Sequence, residues 1–179
     1  SWLQAEVPAL HTESFLDYAK ALHQRARTAW MAGDWSAIRP HATDFAMNQL
    51  MYEASTYTLN GLERDVTDVE TTDVHLCEVD LDPVYLTVTL WFTGLQQRVV
   101  RDAQGEIVAG VLGQDEDFAE RWILRRRIDS GFGPTPIDAC PSCGADEAQI
   151  DALGVCSTCE AWISQGRHGW VIGMILDLA

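Results

Sequence analysis

The chain has 179 residues, of which 47% are hydrophobic and 22% charged, a length that suits one ordinary domain and a small appended module. Its formal net charge of -15, from 12 Lys and Arg against 27 Asp and Glu, argues against nucleic acid as a partner because an anionic surface repels a phosphate backbone. No apolar run of about 18 residues is present, so no membrane-spanning segment is expected, and the start at Ser1 carries no signal-peptide pattern.

The first third of the chain predicts helices. Apolar residues recur at helical spacing from Thr12, a candidate N-cap, to Trp30. A short helical piece or turn follows from Trp35 to Pro40, and a third helix is expected from about Thr43 onward. The third helix should end near Asn60-Gly61, where glycine can take the left-handed conformation.

Beyond residue 61 the hydrophobic period changes from helical to alternating, which predicts strands. The candidate strands are Val66–Val79, Val84–Val100, Ile107–Gly113 and Phe118–Ile128. Asp102–Gly105 predicts a hairpin turn, and Gly113–Asp117 is expected to form the next turn. Cys77 is expected to be a small buried hydrophobe. Helices followed by long antiparallel strands indicate an α+β domain with helices on one face of a curved sheet.

A Gly- and Pro-rich stretch at 131–137 predicts a linker between a main domain, 1–130, and a small C-terminal module, 138–179. In that module two Cys-x-x-Cys pairs, separated by twelve residues, are typical of a closed four-thiolate zinc site. The predicted ligands of one structural Zn²⁺ are Cys140, Cys143, Cys156 and Cys159. Two disulfides, a redox dithiol and a rubredoxin-type iron site remain alternatives.

Two further features of the C-terminal module bear on this zinc ribbon. Trp162 and the run Trp170-Val171-Ile172 are expected to give it a small apolar face. The ribbon's acidic residues outnumber its basic ones, which argues against phosphate binding. His168 is expected to lie at the surface or behind the cysteine ligands.

Several segments in combination resemble the Tim44-like domain, a branch of the NTF2-like superfamily, over roughly Phe15 to Ile128. They are Arg27–Trp35, Val99–Asp102, Gln104–Glu106 and Glu120–Arg126. Bacterial members of this kind can carry a C-terminal cysteine-rich ribbon. The resemblance implies an NTF2-like cone, with N-terminal helices packed on a curved antiparallel sheet, plus a small C-terminal zinc ribbon.

The resemblance also implies a function. In that family the cone forms an apolar cavity or groove, linked to membrane association and to docking of protein partners, and mitochondrial Tim44 is a scaffold for preprotein translocation. We therefore expect a non-enzymatic binding or scaffold module within a larger or membrane-associated assembly, which holds a protein segment or lipid. Any membrane contact would come from regions outside this chain, because no basic amphipathic segment precedes Phe15. Four free thiols favour a reducing compartment, in the cytoplasm or at the cytoplasmic face of a membrane.

Aromatic side chains are the candidates for lining such a cavity, although large aromatics are more often part of the core. The five candidates are Trp30, Trp35, Tyr57, Trp91 and Trp122. The alternative function is an NTF2-like enzyme with a buried acidic general base, for which the nearest candidates are Asp44, Asp65 and His41. Each of these three has a plainer role at a helix start, a strand start or a turn, so no catalytic residue is assigned.

One dense basic cluster comprises Arg121, Arg125, Arg126 and Arg127. Strand alternation places Arg121, Arg125 and Arg127 on one face, with Trp122 and Leu124 on the other. That face suits an anionic head group, but pairing with acidic side chains on neighbouring strands is the favoured interpretation.

Overall fold

Helices occupy the first third of the chain and four strands form the rest of the framework. The computed structural model describes residues 12–130 and 135–177. The helices are α1 (Thr12–Ala32), α2 (Trp35–Ile38) and α3 (Asp44–Leu59), with a 3₁₀ turn at Arg39–His41. The strands are β1 (Glu63–Leu81), β2 (Tyr85–Arg101), β3 (Ile107–Arg127) and β4 (Val171–Asp177). The predicted α+β class, with helices followed by an antiparallel sheet in an NTF2-like cone, is confirmed. Within residues 12–130 and 135–177, none of the helices combines the length and the hydropathy that a membrane-spanning segment requires.

A capping side chain marks the start of α3, and a glycine follows its end. Thr43 is the N-cap of α3, where its hydroxyl accepts a hydrogen bond from the Ala46 N–H at 3.3 Å. Gly61, with φ of 69°, follows the C-terminus of α3, as predicted. Helix α1 begins at Thr12, but the Thr12 side chain lies outside the described residues, so its capping role stays a prediction.

The sheet has the order β1-β2-β3-β4, and every neighbouring pair is antiparallel. Strand β2 is central and alternates strictly between buried and half-buried positions over most of its length. Its inward residues pack against α1 and α3 in the main core; they include Leu86, Val88, Leu90 and Phe92, each fully buried. Burial of one face in this way fixes the register, because a slip of one residue would turn that face to solvent.

The predicted turn at Gly113–Asp117 is wrong, because β3 continues through it. Gln97 of β2 pairs with Asp115, whereas Val99 pairs with Gly110, so residues 111–114 bulge out of the ladder. Gly110 has φ of 80°, and a Cβ there would lie 2.0 Å from the Arg98 carbonyl oxygen. Gly110 therefore lies at a bulge. Glycine also favours turns, so the sequence alone does not tell a bulge from a turn here.

The assignment of Trp170-Val171-Ile172 to the ribbon's apolar face is also wrong. Ile172 pairs with Leu124 in the main sheet, and Trp170 packs in the main core with its ring centroid 4.8 Å from that of Phe15. The chain thus returns to the sheet after residues 136–169, which hold the four clustered cysteines and are called the cysteine segment below. The division into 1–130, 131–137 and 138–179 stays a prediction. Strand β4, near the end of the chain, pairs with β3 of the main sheet.

Cys77 is exposed, so its predicted burial is wrong. The register of β1 against β2 shifts between Leu76 and Glu78, and this bulge leaves Cys77 out of the ladder. The alternation that would have turned its side chain inward is interrupted at that residue.

Candidate functional site

Two loops of the C-terminal segment bring the four predicted cysteine ligands to one point. The Sγ atoms of Cys140 and Cys159 lie 3.8 Å apart, those of Cys143 and Cys156 lie 3.9 Å apart, and all four lie within 4.8 Å of one another. Four sulfurs bound to one metal at about 2.3 Å form a tetrahedron with edges of about 3.8 Å. A disulfide needs a separation of about 2.05 Å. The arrangement therefore fits a tetrahedral metal site with no open position.

Backbone N–H groups of each cysteine loop point at the first sulfur of that loop. Burial raises the pKa of Cys140 to about 12 in spite of them. At Cys156 burial also acts upward, but the N–H groups and the neighbouring thiols together outweigh it and lower the pKa to about 7. N–H groups directed at sulfur stabilise the thiolate, which is the form that binds a metal.

The cysteine segment has its own small core and is held to the helices by a few polar contacts. Ile150 and Ile163 pack with Cys140 and Cys156. Arg25 of α1 donates hydrogen bonds to both carboxylate oxygens of Glu147. His41 adds a contact, because its Nε2–H donates to the Ile137 carbonyl at 2.8 Å. His168 is half-buried.

An open pocket of about 450 Å³ lies where the ends of α1 and α3 meet the start of β1. Three of the five predicted aromatic residues, Trp30, Trp35 and Tyr57, line it. The Trp30 indole is largely buried and donates to the Leu50 carbonyl at 3.3 Å, so this wall is fixed by the core. Trp35 and Tyr57 remain half-exposed.

Arg64 also lines this aromatic pocket. Its guanidinium carbon lies 4.9 Å from the Trp30 ring centroid and 5.2 Å from that of Tyr57, and a guanidinium nitrogen lies 3.4 Å from Glu53. Burial lowers the pKa of Arg64, while Tyr57 and Glu53 raise it. The exposed carboxylates of Glu63 and Asp65 also lie among the lining residues. The pocket is therefore aromatic inside and acidic at its edge.

The other two predicted aromatics lie elsewhere. Trp122 is 1% exposed and belongs to the main core, where its indole N–H donates to Glu120 at 2.9 Å. Trp91 lies on the outer face of the sheet, with the guanidinium carbon of Arg121 5.9 Å from its ring centroid. Neither lines the aromatic pocket.

A fully buried ionic network, which the sequence analysis missed, lies beneath the pocket. Glu120 of β3 accepts hydrogen bonds from Arg27 at 2.6 Å and from His23 at 3.0 Å, and all three side chains are buried completely. Gln96 accepts a further bond from Arg27. The Arg27 guanidinium carbon lies 5.0 Å from the Trp30 ring centroid, so Trp30 contacts this network and also lines the pocket.

The network had a sequence signal. His23 and Arg27 lie four residues apart on the apolar stripe of α1, and Glu120 is in phase with the inward residues Trp122 and Leu124 of β3. Charged side chains in phase with a core predict a buried pair, because an unpaired charge there is too costly.

The three residues that the sequence analysis considered for catalysis do not form a catalytic cluster. Asp44 has an 84% exposed side chain that pairs with Arg39 at 2.7 Å. His41 is buried against the cysteine segment, and burial lowers its pKa to about 4. Asp65 is exposed at the edge of the aromatic pocket. The structure does not bring these three residues together in one site.

The arginine cluster alternates as predicted, with Trp122 and Leu124 buried on the other face. Arg127 pairs with Asp129 at 2.7 Å, and Arg126 is buried and donates to the Ser130 hydroxyl. Arg125 stacks on Tyr85, with 4.8 Å between the guanidinium carbon and the ring centroid. Among the described residues, Arg125 therefore lacks the predicted carboxylate partner on a neighbouring strand. Arg127 does pair with a carboxylate, but Asp129 lies two residues further along the chain and not on a neighbouring strand.

Comparison with known proteins agrees with this architecture. A family model described as the Tim44-like domain matches residues 4–135, which is most of the chain before the cysteine segment. No curated protein matches the chain.

Proposed function

Because this chain belongs to the Tim44-like domain family, we propose that it is a non-enzymatic binding or scaffold module within a larger assembly. The observation that carries the proposal is the open aromatic pocket, whose volume of about 450 Å³ is sufficient for several apolar side chains. Trp30, Trp35 and Tyr57 are the residues that we expect to contact the ligand.

We propose that the ligand is an apolar segment of a partner protein with basic residues beside it. Glu63 and Asp65 give the pocket an acidic edge, and the whole chain carries a formal charge of -15. Such a field attracts a basic partner and opposes an anionic bilayer surface. A lipid tail is the second ligand that the apolar interior would accommodate.

The buried ionic network supports a binding role over an enzymatic one. Glu120 is the carboxylate most deeply buried in the cone, and its oxygens are engaged by Arg27, His23 and Trp122. A general base needs a free lone pair within hydrogen-bond reach of a substrate proton. Glu120 is not among the residues that line the pocket, so we infer that the network stabilises the wall behind the ligand.

We propose that the metal is one structural Zn²⁺, held by Cys140, Cys143, Cys156 and Cys159. The donor set supports this identity, since four thiolates with tetrahedral edges of 3.8 and 3.9 Å suit zinc, which needs no redox partner. The ion would cross-link two loops whose own apolar core is small. Metal binding requires that the four cysteines are not oxidised to disulfides, which also supports a reducing compartment as the location.

Two peptides of equal amphipathicity test the ligand class. An amphipathic Leu/Lys peptide is titrated against the protein by tryptophan fluorescence and calorimetry, with a Leu/Glu peptide of the same pattern as the charge control. We expect the Leu/Lys peptide to bind more tightly. Vesicles of zwitterionic and anionic lipid, assayed by flotation, test the lipid alternative.

Two variants locate the binding. Tyr57→Ala enlarges the pocket without changing charge and should weaken Leu/Lys peptide binding by about tenfold, the equivalent of 1.4 kcal/mol. Trp91→Ala removes an aromatic from the outer sheet face and should leave the affinity unchanged. Equal affinity of the two variants would show that the peptide binds by charge alone, away from the pocket, and would overturn the proposal.

A further inference from the structure

A second cleft lies between the cysteine segment and the main sheet, apart from the aromatic pocket. Its volume is about 270 Å³, and it collects side chains from α3, from the start of β2, from the end of β3 and from the segment after the last cysteine. The residues that matter here are Phe45, Tyr85, Arg125, Trp162 and Gln165.

Arg125 is the feature of this cleft that calls for a ligand. Its side chain is half-buried. Its guanidinium stacks on Tyr85, and no carboxylate within residues 12–130 and 135–177 forms an ion pair with it. Six other arginines in these ranges do form ion pairs with carboxylates: Arg25, Arg27, Arg39, Arg64, Arg98 and Arg127.

The fold holds Arg125 in this position. Its stem crosses β4 at Gly173, where a Cβ would lie 3.3 Å from Arg125 Cδ. Phe45 and Trp162 border the cleft with 55% and 49% of their surfaces exposed, although burial of such rings would normally be favourable. Asp44 is the one acidic residue in the lining, and its carboxylate is paired with Arg39 at 2.7 Å.

We propose that this cleft binds a small ligand in which an anionic group is attached to a planar apolar body. The guanidinium of Arg125 offers charged N–H donors to a carboxylate or sulfonate, and the rings of Phe45 and Trp162 offer faces to the body. The volume is below that of a drug-sized site, so the ligand is small. Trp162 pairs with Val155 inside the cysteine segment, so the folded metal site supplies one wall of the cleft.

Anilinonaphthalene sulfonate has this chemistry, and N-phenyl-1-naphthylamine has the same ring system without the sulfonate. Both are titrated by fluorescence against the metal-loaded protein and three variants. Arg125→Gln should weaken sulfonate binding by about tenfold, and the neutral amine should be affected much less. Trp162→Ala should weaken both probes. Arg127→Gln, which removes a neighbouring arginine of the same face that is already paired with Asp129, should change neither.

The variants are compared only after metal content and thermal unfolding show that they fold. If Arg125→Gln and Arg127→Gln bind the sulfonate equally, or if the sulfonate and the amine lose affinity equally in Arg125→Gln, the anion site does not exist. On the unmodified protein, N-acetylphenylalanine should displace the sulfonate and N-acetylphenylalanine amide should not. Failure of this displacement would overturn the proposal without any variant. The affinity of a peptide that ends in phenylalanine is then compared with that of N-acetylphenylalanine. Tighter binding of the peptide would identify the ligand as a peptide C-terminus, and tighter binding of N-acetylphenylalanine would identify it as a small carboxylate.

Discussion

Gly144 and Glu160 occupy the same place in the two cysteine loops. Each follows the second cysteine of its pair, each has a left-handed backbone, with φ of 76° and 59°, and each donates its N–H to the carbonyl of the first cysteine at 2.8 Å. Glycine takes this conformation without cost, whereas a residue with a Cβ pays about 1–2 kcal/mol. The second loop therefore carries strain that the first loop avoids.

Glu160→Gly should stabilise the metal-loaded protein by about 1 kcal/mol, because it removes the left-handed penalty and retains the backbone hydrogen bond. Urea unfolding with intrinsic fluorescence measures the change. Gly144→Ala is the matched control and should destabilise by a similar amount. If Glu160→Gly were destabilising, the glutamate side chain would have a stabilising role of its own.

The buried network predicts a large effect at Glu120. Glu120→Gln leaves the Arg27 guanidinium buried without its counter-charge, and breaking a buried pair in this way costs about 3–5 kcal/mol. Glu116→Gln is the control, because its pair with Arg98 at 2.6 Å is about one-third exposed and should contribute about 1 kcal/mol or less. Urea unfolding of both variants tests this. Equal losses would mean that Arg27 is relieved by water or by a repacked side chain.

His41 makes stability depend on pH. Burial lowers its pKa from 6.5 to about 4, although the bond to the Ile137 carbonyl acts in the opposite direction. Below pH 6.5 the unfolded chain binds a proton that the folded chain does not, so the contribution of neutral His41 is complete above pH 6.5 and is lost as the pH falls toward 4. The full loss is up to about 3 kcal/mol. Burial lowers the pKa of His23 as well, which adds a dependence of the same sign.

Urea unfolding at a series of pH values between 7 and 4 measures this dependence. His41→Phe should flatten the profile, while exposed His75→Gln should leave it unchanged. If His41→Phe retained the full slope, the dependence would have to come from His23 or from carboxylates.

The sequence predicted those parts of the fold and site that depend on local patterns. The Cys-x-x-Cys pairs are such a pattern, because each short loop aims both sulfurs by itself. The sequence selected five residues only because they are large aromatics, and Trp30, Trp35 and Tyr57 line one pocket because their helices place them at the start of β1. Their contact with a ligand stays a prediction.

Features that depend on distant partners were missed or misread. The pairing of β4 with β3 joins residues on opposite sides of the cysteine segment, and no local period encodes which strand will pair with which. The bulge in β3 was misread as a turn at Gly113–Asp117, because a left-handed glycine such as Gly113, with φ of 71°, is common to turns and bulges. The stacking of Arg125 on Tyr85 was missed because it depends on the register of β2 against β3.

Removal of the metal should unfold the cysteine segment and leave the main sheet intact. Cys143→Ser removes one exposed ligand, and the segment's small apolar core cannot replace a metal that contributes on the order of 10 kcal/mol. Trp170 and Ile172 are held by the main core, so β4 should remain paired with β3. Hydrogen exchange should therefore rise between Cys140 and Ile163 and stay low in β4.

The control is Cys77→Ser, which replaces an exposed cysteine away from the site and should change neither metal content nor exchange. If β4 exchanged as fast as the cysteine segment, the two would unfold as one unit, and the metal would also stabilise the edge of the main sheet.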